Sequence, residues 1–332
     1  MPFVDIPIPS SFQNGIVLQS ENPLEEVWDR ISWMTSKDRI SSALSASVAP
    51  DQLSRCIDYS VPRFLQACEL RKAKSQTTAL TAPLLLYYSA LNLTRGALAL
   101  IKNVTPHSGH GLKFKEGADI FSCSAEIANG TYYDLLLANN INPRIGTSCS
   151  LMDALIRIVE ISDDMVLANK PMSLIVPIYV LAYENKSLFL NFKNLDQSTW
   201  KETYPSLSPI ADFVSEKQLR INIVNQINAK TVSEFCHKHL LTDLHYRDLT
   251  PQWFVLSKTE KGTDLSREGY YLIALFILSS IVRYSPEIMI EALRPERESS
   301  YIINRFIKNV ERFYPQLIVN SIHNNHLYFS NF

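Results

Sequence analysis

Glycine is scarce in this chain, with 9 residues in 332. A loop that cradles phosphate on backbone N–H groups needs glycines for close approach, and neither G-x-x-x-x-G-K-[ST] nor G-x-G-x-x-G occurs. G-x-S-x-G is missing too, so nucleotide-dependent and α/β-hydrolase chemistry are both disfavoured. The five cysteines, Cys56, Cys68, Cys123, Cys149 and Cys236, form no C-x-x-C pair and read as reduced core thiols. The longest apolar runs, Leu84 to Ile101 and Tyr270 to Ile281, are interrupted by Asn92, Arg95 and the Ser279-Ser280 pair. Neither supplies the ~20 clean residues of a membrane span. "MPFVDIPIPSSFQNG" lacks the basic start, apolar stretch and small-residue cleavage site of a secretory signal. These absences predict a soluble cytoplasmic protein whose mature chain begins there, without a cofactor, a bound metal or a membrane partner.

What is present fits a globular protein. Hydrophobic residues make up 46% and charged residues 20%, which argues against large disordered tails. The net charge of −1 conceals blocks. Residues 1–60 carry four basic and eight acidic side chains; residues 61–115 carry eight basic against Glu69 alone; residues 116–170 carry three against eight. The basic block could draw phosphate or nucleic acid to one face, or acidic neighbours could fold back and neutralise it.

Periodicity organises the chain into helices at both ends and strands between. Asn22 as cap, Pro23 at the first helical position and acidic residues in the first turn start a helix with Val27, Trp28, Ile31 and Trp33 at roughly helical spacing. A second helix begins at Asp51, with a break expected at Pro62. The third covers Leu84 to Lys102. Asn129-Gly130 reads as a hairpin turn, and Ser150 caps a helix through Leu151, Leu155, Ile158 and Val159. "SLIVPIYVLAY", "SLFLNFK", "QLRINIV" and "WFVLS" read as strands, after which helices resume. The predicted class is an α-rich α+β fold, a helical bundle with a small antiparallel sheet inserted. Its parts are an N-terminal helical region over 1–170, a β-containing insertion over 171–258, and C-terminal helices over 259–332 that pack back on the bundle.

On a helix at about 100° per residue, Tyr88, Asn92, Arg95, Ala99 and Lys102 fall on one stripe, while leucines cover the rest of the circumference. Arg95 could pair with a carboxylate from another segment, or the stripe could face solvent. Tyr88, Asn92, Arg95 and Lys102 could also line a cleft completed by His107 and His110 from the loop beyond the helix. Arginine suits phosphate because its planar fork donates two parallel hydrogen bonds, and histidine can exchange a proton near neutral pH. Tyr88, Asn92, Lys102 and Lys113 are the candidate nucleic-acid contacts; Arg95, His107 and His110 are the candidate catalytic groups. Arg283, near the end of an apolar helix, reads first as a residue favouring the helix dipole. Cys236, His237, His239, Asp243, His245 and Asp248 invite a metal reading. His237 and His239, however, would point about 200° apart on a helix, and ordinary surface or core histidines fit better. "NSIHNNHLYF", with His323 and His326, reads as a fraying terminus.

"FLQACELRKAKS" with "PLLLYYSALNLTRGALALIKNVTPHSGHGLKF" resembles the signature of the YaaC-like bacterial family, and "YYLIALFILSSIVRYSPEIMIEAL" with "FYPQLIVNSI" resembles that family's ending. The same helix and loop resemble a segment of HEPN domains, with Tyr87, Tyr88, Arg95, His107, Ser108 and Gly109 in the matching places. HEPN domains are helical bundles, many of them RNases of toxin–antitoxin and antiphage systems. The resemblance implies an RNA-linked role in bacterial defence or stress. Their Arg–His spacing of four to six residues is exceeded between Arg95 and His107, so the implied protein is either a ribonuclease of altered geometry or catalytically inactive. The alternative is a non-enzymatic protein that binds another protein or a second copy of itself.

Overall fold

The structure, a computed structural model, describes residues 14–44, 50–102, 105–139, 141–168, 175–183, 187–192, 195–204, 207–209, 211–222, 244–247, 252–256, 265–323 and 325–330. The chain divides into two compact units. One comprises Gln19–Pro171, Thr263–Asn324 and Asn331–Phe332, the other Met1–Leu18, Met172–Gly262 and Asn325–Ser330.

The first unit is the helical bundle. Helix α1 (Pro23–Trp33) starts as the sequence predicts: Asn22 accepts from the Glu25 amide at 3.4 Å, and Val27, Trp28 and Ile31 are buried. Helices α2 (Lys37–Leu44) and α3 (Pro50–Lys74) follow. The expected break at Pro62 does not occur, because α3 runs through it. Packing on the next helix, α4 (Ala82–Lys102), overrides the local preference. Val61 and Phe64 are buried beside Pro62, and Ser60 donates to the Gly96 carbonyl at 2.9 Å. A methyl group at Gly96 would sit 2.7 Å from the Phe64 ring, so glycine is what lets α3 and α4 approach so closely.

Helix α4 is surrounded by α3 and by two C-terminal helices introduced next. It is long and apolar enough to cross a membrane, as is the pair formed by the first two of the C-terminal helices if it is taken as one span; 67% of the α4 window is buried by protein, as in a core helix. A three-stranded antiparallel sheet abuts the bundle: β2 (His110–Lys115), β3 (Ser124–Gly130) and β4 (Ser148–Ser150), in the order β2-β3-β4. Asn129-Gly130 is not a hairpin turn. It ends β3, and the chain passes directly into helix α5 (Thr131–Ala138), because Gly130 at φ 150° is pressed against Gly111 of β2.

Ser150 caps the next helix as predicted, in a capping box with Asp153, but that helix is shorter than its apolar spacing suggests. It splits into α6 (Leu151–Leu155), a 3-10 turn at Val159–Ile161 and α7 (Ser162–Leu167). The C-terminal helices are α9 (Arg267–Tyr284), α10 (Pro286–Ala292) and α11 (Glu298–His323). Helix α9 is buried from Gly269 to Ile281, and it meets α10 at a bend of 113°. Helix α11 contains Pro315, which leaves the Glu311 carbonyl without its helical donor; the Trp28 indole supplies one at 3.0 Å.

The second unit is the inserted sheet, six antiparallel strands in the order β7-β8-β6-β5-β10-β9. They are β5 (Ile175–Tyr183), β6 (Ser187–Asn191), β7 (Ala211–Ser215), β8 (Gln218–Asn222), β9 (Leu244–Arg247) and β10 (Gln252–Leu256), with α8 (Trp200–Thr203) between β6 and β7. The fold is therefore α-rich α+β, a helical bundle with an inserted antiparallel sheet. The terminus predicted to fray is instead strand β11 (Asn325–Ser330), with Leu327 and Phe329 buried, and it pairs with β1 (Asn14–Gln19).

Candidate functional site: a cationic pocket around His110

The polar stripe of α4 exists, and it is graded. Tyr88, Asn92 and Arg95 are half-buried, Ala99 is buried and Lys102 is exposed. The Asn92 amide donates to the Tyr88 carbonyl at 3.0 Å. Among the described residues Arg95 pairs with no carboxylate, and it binds the loop that follows its own helix. Its Nε donates to the Thr131 hydroxyl at 3.0 Å, and its Nη2 donates to the Ser108 carbonyl and, at 3.4 Å, to Gly109. The Thr131 hydroxyl in turn reaches the carbonyls of His107 at 3.0 Å and Gly109 at 2.9 Å. Arg95 and Thr131 thus hold residues 107–109 as one unit.

Two glycines let this loop close. Gly111 (φ 81°) and Gly130 (φ 150°) lie against each other where β2 meets the end of β3, and a Cβ on Gly130 would fall 2.6 Å from the Gly111 Cα. Their crossing brings α5 under the loop. Asp134, one helical turn after Thr131, accepts from the His107 amide at 2.8 Å and meets His107 Nδ1 at 2.8 Å. The His107 side chain is 66% exposed, so its Nε2 edge faces solvent.

His110 occupies a different environment. Its Nδ1 shares a 2.7 Å hydrogen bond with the Tyr87 hydroxyl, and its ring packs among Tyr87, Tyr88 and Phe276. Burial first, then the charges of Arg95 and Arg283, hold its pKa below the ordinary value of 6.5. Burial also pushes the Tyr87 hydroxyl well above its usual range, so that it keeps its proton. Arg283 comes from the last turn of α9. It donates to the Ser279 carbonyl at 3.2 Å, the Ser280 hydroxyl at 3.3 Å and the Tyr88 hydroxyl at 3.3 Å. Glu116, just after β2, receives the Ser285 hydroxyl rather than either arginine. Among the described residues neither Arg95 nor Arg283 has an ion pair.

The structure brings Tyr88, Asn92, Arg95 and His110 together and places His107 at the rim of the same loop. Lys102 lies about 10 Å further along α4, two turns past Arg95. Lys113 is 69% exposed and faces Glu126 at 3.7 Å, on the side of β2 opposite Leu112 and Phe114. The sequence reads Arg283 mainly as a helix-end residue, brings in Tyr87 only through the HEPN resemblance, and gives no role to Thr131 and Asp134. The one available signal was the three-residue spacing of Thr131 and Asp134, which sets both on one face of a helix. Of the eight basic residues in 61–115, Arg71, Lys72, Lys74, Lys113 and Lys115 have carboxylate partners, whereas Arg63, Arg95 and Lys102 have none among the described residues.

No group of three or more His, Cys, Asp or Glu side chains among the described residues could hold a metal ion. His237 and His239 lie outside the described residues.

A helical bundle with an antiparallel sheet inserted before its last helices is the architecture, with Arg95, Arg283 and His110 clustered near the exit of the central helix. The family model for the YaaC-like protein matches residues 37–322, and the chain belongs to that family. Neither a curated protein nor a solved structure matches the chain.

Proposed function

We propose that this YaaC-like protein binds RNA in the cytoplasm by seating a backbone phosphate between Arg95 and Arg283, beside His110. One observation carries the reading: two half-buried guanidiniums from different helices flank the same imidazole without a carboxylate partner among the described residues. Uncompensated charge in a half-buried site is costly, and a bound anion relieves it. Phosphate suits it because its oxygens accept charge-assisted hydrogen bonds from guanidinium N–H groups. Arg95 uses Nε and Nη2 on the loop, which leaves Nη1 for a ligand.

The HEPN-like order of Tyr87, Tyr88, Arg95, His107, Ser108 and Gly109 favours RNA as the source of the phosphate and a role in bacterial defence or stress. His107, exposed and oriented by Asp134, is the group placed to exchange a proton if the bound RNA is cleaved. The test is fluorescence anisotropy with labelled RNA at low salt, alongside a cleavage assay, on the wild type, Arg283→Gln and His107→Ala. Arg283→Gln is expected to weaken binding about 10- to 100-fold, the size of a charged hydrogen-bonding group lost. His107→Ala is expected to leave binding nearly unchanged and to abolish any cleavage. A wild type that fails to bind RNA at low salt overturns the reading and leaves a protein partner or self-association as the function to pursue.

A further inference from the structure

Beside the cationic pocket lies an aromatic surface that the phosphate reading does not use. Tyr284, the last residue of α9, is 65% exposed. Folding normally buries most of a tyrosine ring, and among the described residues the other exposed large aromatics, Trp33 at 39% and Tyr301 at 43%, are less open. The ring is nevertheless held in place. Phe114 of β2 stacks against it at 6.4 Å between centroids with 29° between planes, and the Arg283 guanidinium sits 4.9 Å from its centroid. Tyr284 also stands at the bend into α10, where Pro286 follows and the chain turns by 113°. A ring that is 65% exposed, with Phe114 and Arg283 beside it, thus adjoins the guanidinium proposed to hold phosphate.

From this juxtaposition we infer that the site takes single-stranded nucleic acid, with a base stacked on Tyr284 while the adjoining phosphate lies on Arg283 and Arg95. The inference rests on the phosphate-binding reading and narrows it to a substrate class. In a duplex each base face is already covered by its neighbours, and a protein ring gains nothing by approaching it. A single strand can turn one base out onto the ring while its phosphate stays within reach of the cation next to it. The hydroxyl of the half-buried Tyr88 accepts from Arg283, whose guanidinium lies 6.0 Å from the Tyr88 ring centroid and 4.9 Å from that of Tyr284. Stacking tolerates any base, so recognition of strandedness rather than of sequence follows.

The experiment compares three probes by competition anisotropy: an oligoadenylate, the same strand annealed to its complement, and inorganic polyphosphate. Each is titrated against the wild type, Tyr284→Ala, Tyr284→Phe and Arg283→Gln. The single strand is expected to bind at least about tenfold tighter than either the duplex or polyphosphate. Tyr284→Ala should weaken the single strand about 5- to 100-fold, as loss of one stacked base does, and leave polyphosphate unchanged. Tyr284→Phe keeps the ring and should bind like wild type. Equal binding of single strand and duplex, or a Tyr284→Ala affinity equal to wild type, overturns the inference. If Arg283→Gln still weakens every probe in that event, the phosphate pocket stands without the stacking surface. If none of the probes binds the wild type, both fall.

Discussion

At the scale of single residues, His110 reports on the pocket. Burial together with Arg95 and Arg283 lowers its pKa below 6.5, so the unfolded chain binds more protons than the folded one between the folded value and 6.5. Stability therefore rises with pH through that window, is fully present above it, and is lost as pH falls. An imidazole NMR titration should place the His110 midpoint below 6.5 in the native protein, and Arg283→Gln should move it upward because one of the two positive charges is gone. A midpoint at or above 6.5, or one indifferent to Arg283→Gln, would contradict the described surroundings. Arg95 differs from Arg283 in being tied to the loop by hydrogen bonds to Ser108, Gly109 and Thr131. Arg95→Ala should accordingly speed amide exchange over residues 105–110 and in the first turn of α5, whereas Arg283→Gln should not. Unchanged exchange in Arg95→Ala would mean that Thr131 holds the loop alone.

At the scale of elements, two close approaches depend on small or missing groups. The crossing of β2 and β3 leaves no room at Gly130, where an added Cβ meets Gly111 and the backbone sits at φ 150°. Gly130→Ala is expected to cost about 2–4 kcal/mol, the sum of backbone strain and overpacking, and chemical denaturation will show it. The second case is the pairing of Trp28 with the carbonyl that Pro315 leaves open. Trp28→Phe should cost about 1–2 kcal/mol, and less in a Pro315→Ala background, where the helix can supply its own donor to Glu311. Equal costs in the two backgrounds would show that the indole contributes packing alone. These cases also mark what could be read from the chain. The cap at Asn22, the capping box at Ser150 and the helix ending at Lys102 were legible because their signals are local. Pro62 and Asn129-Gly130 misled because α3's packing on Gly96 and the Gly111–Gly130 contact are long-range, and no local preference encodes them. The Arg95 stripe was visible from helical periodicity alone. Its partners Thr131 and Arg283 were not, since they arrive from segments 36 and about 190 residues away.

At the scale of the whole molecule, the charge distribution bears on the proposed binding of nucleic acid. The chain carries a net charge of −1, and five of the eight basic residues at 61–115 share four carboxylates: Arg71 with Glu25, Lys72 with Glu69, Lys74 with Glu311, and Lys113 and Lys115 with Glu126. Half of the block's positive charge is thus offset among the described residues, and the proposed site would act through a few groups. Arg95 and Arg283, joined by Lys102 further along α4, would neutralise about two to three phosphates. For a single strand the slope of log K against log salt is roughly −0.7 per phosphate, which predicts about −1.4 to −2.1. A face built from all eight basic residues of the block would instead give a slope near −5 to −6 by the same rule. Binding isotherms of oligoadenylate at several salt concentrations separate the two. A shallow slope that flattens further in Arg283→Gln places the phosphate at the pocket. A steep slope that Arg283→Gln leaves unchanged would mean that the ion pairs along α3 and β2 open on binding, and that the basic block is the interface.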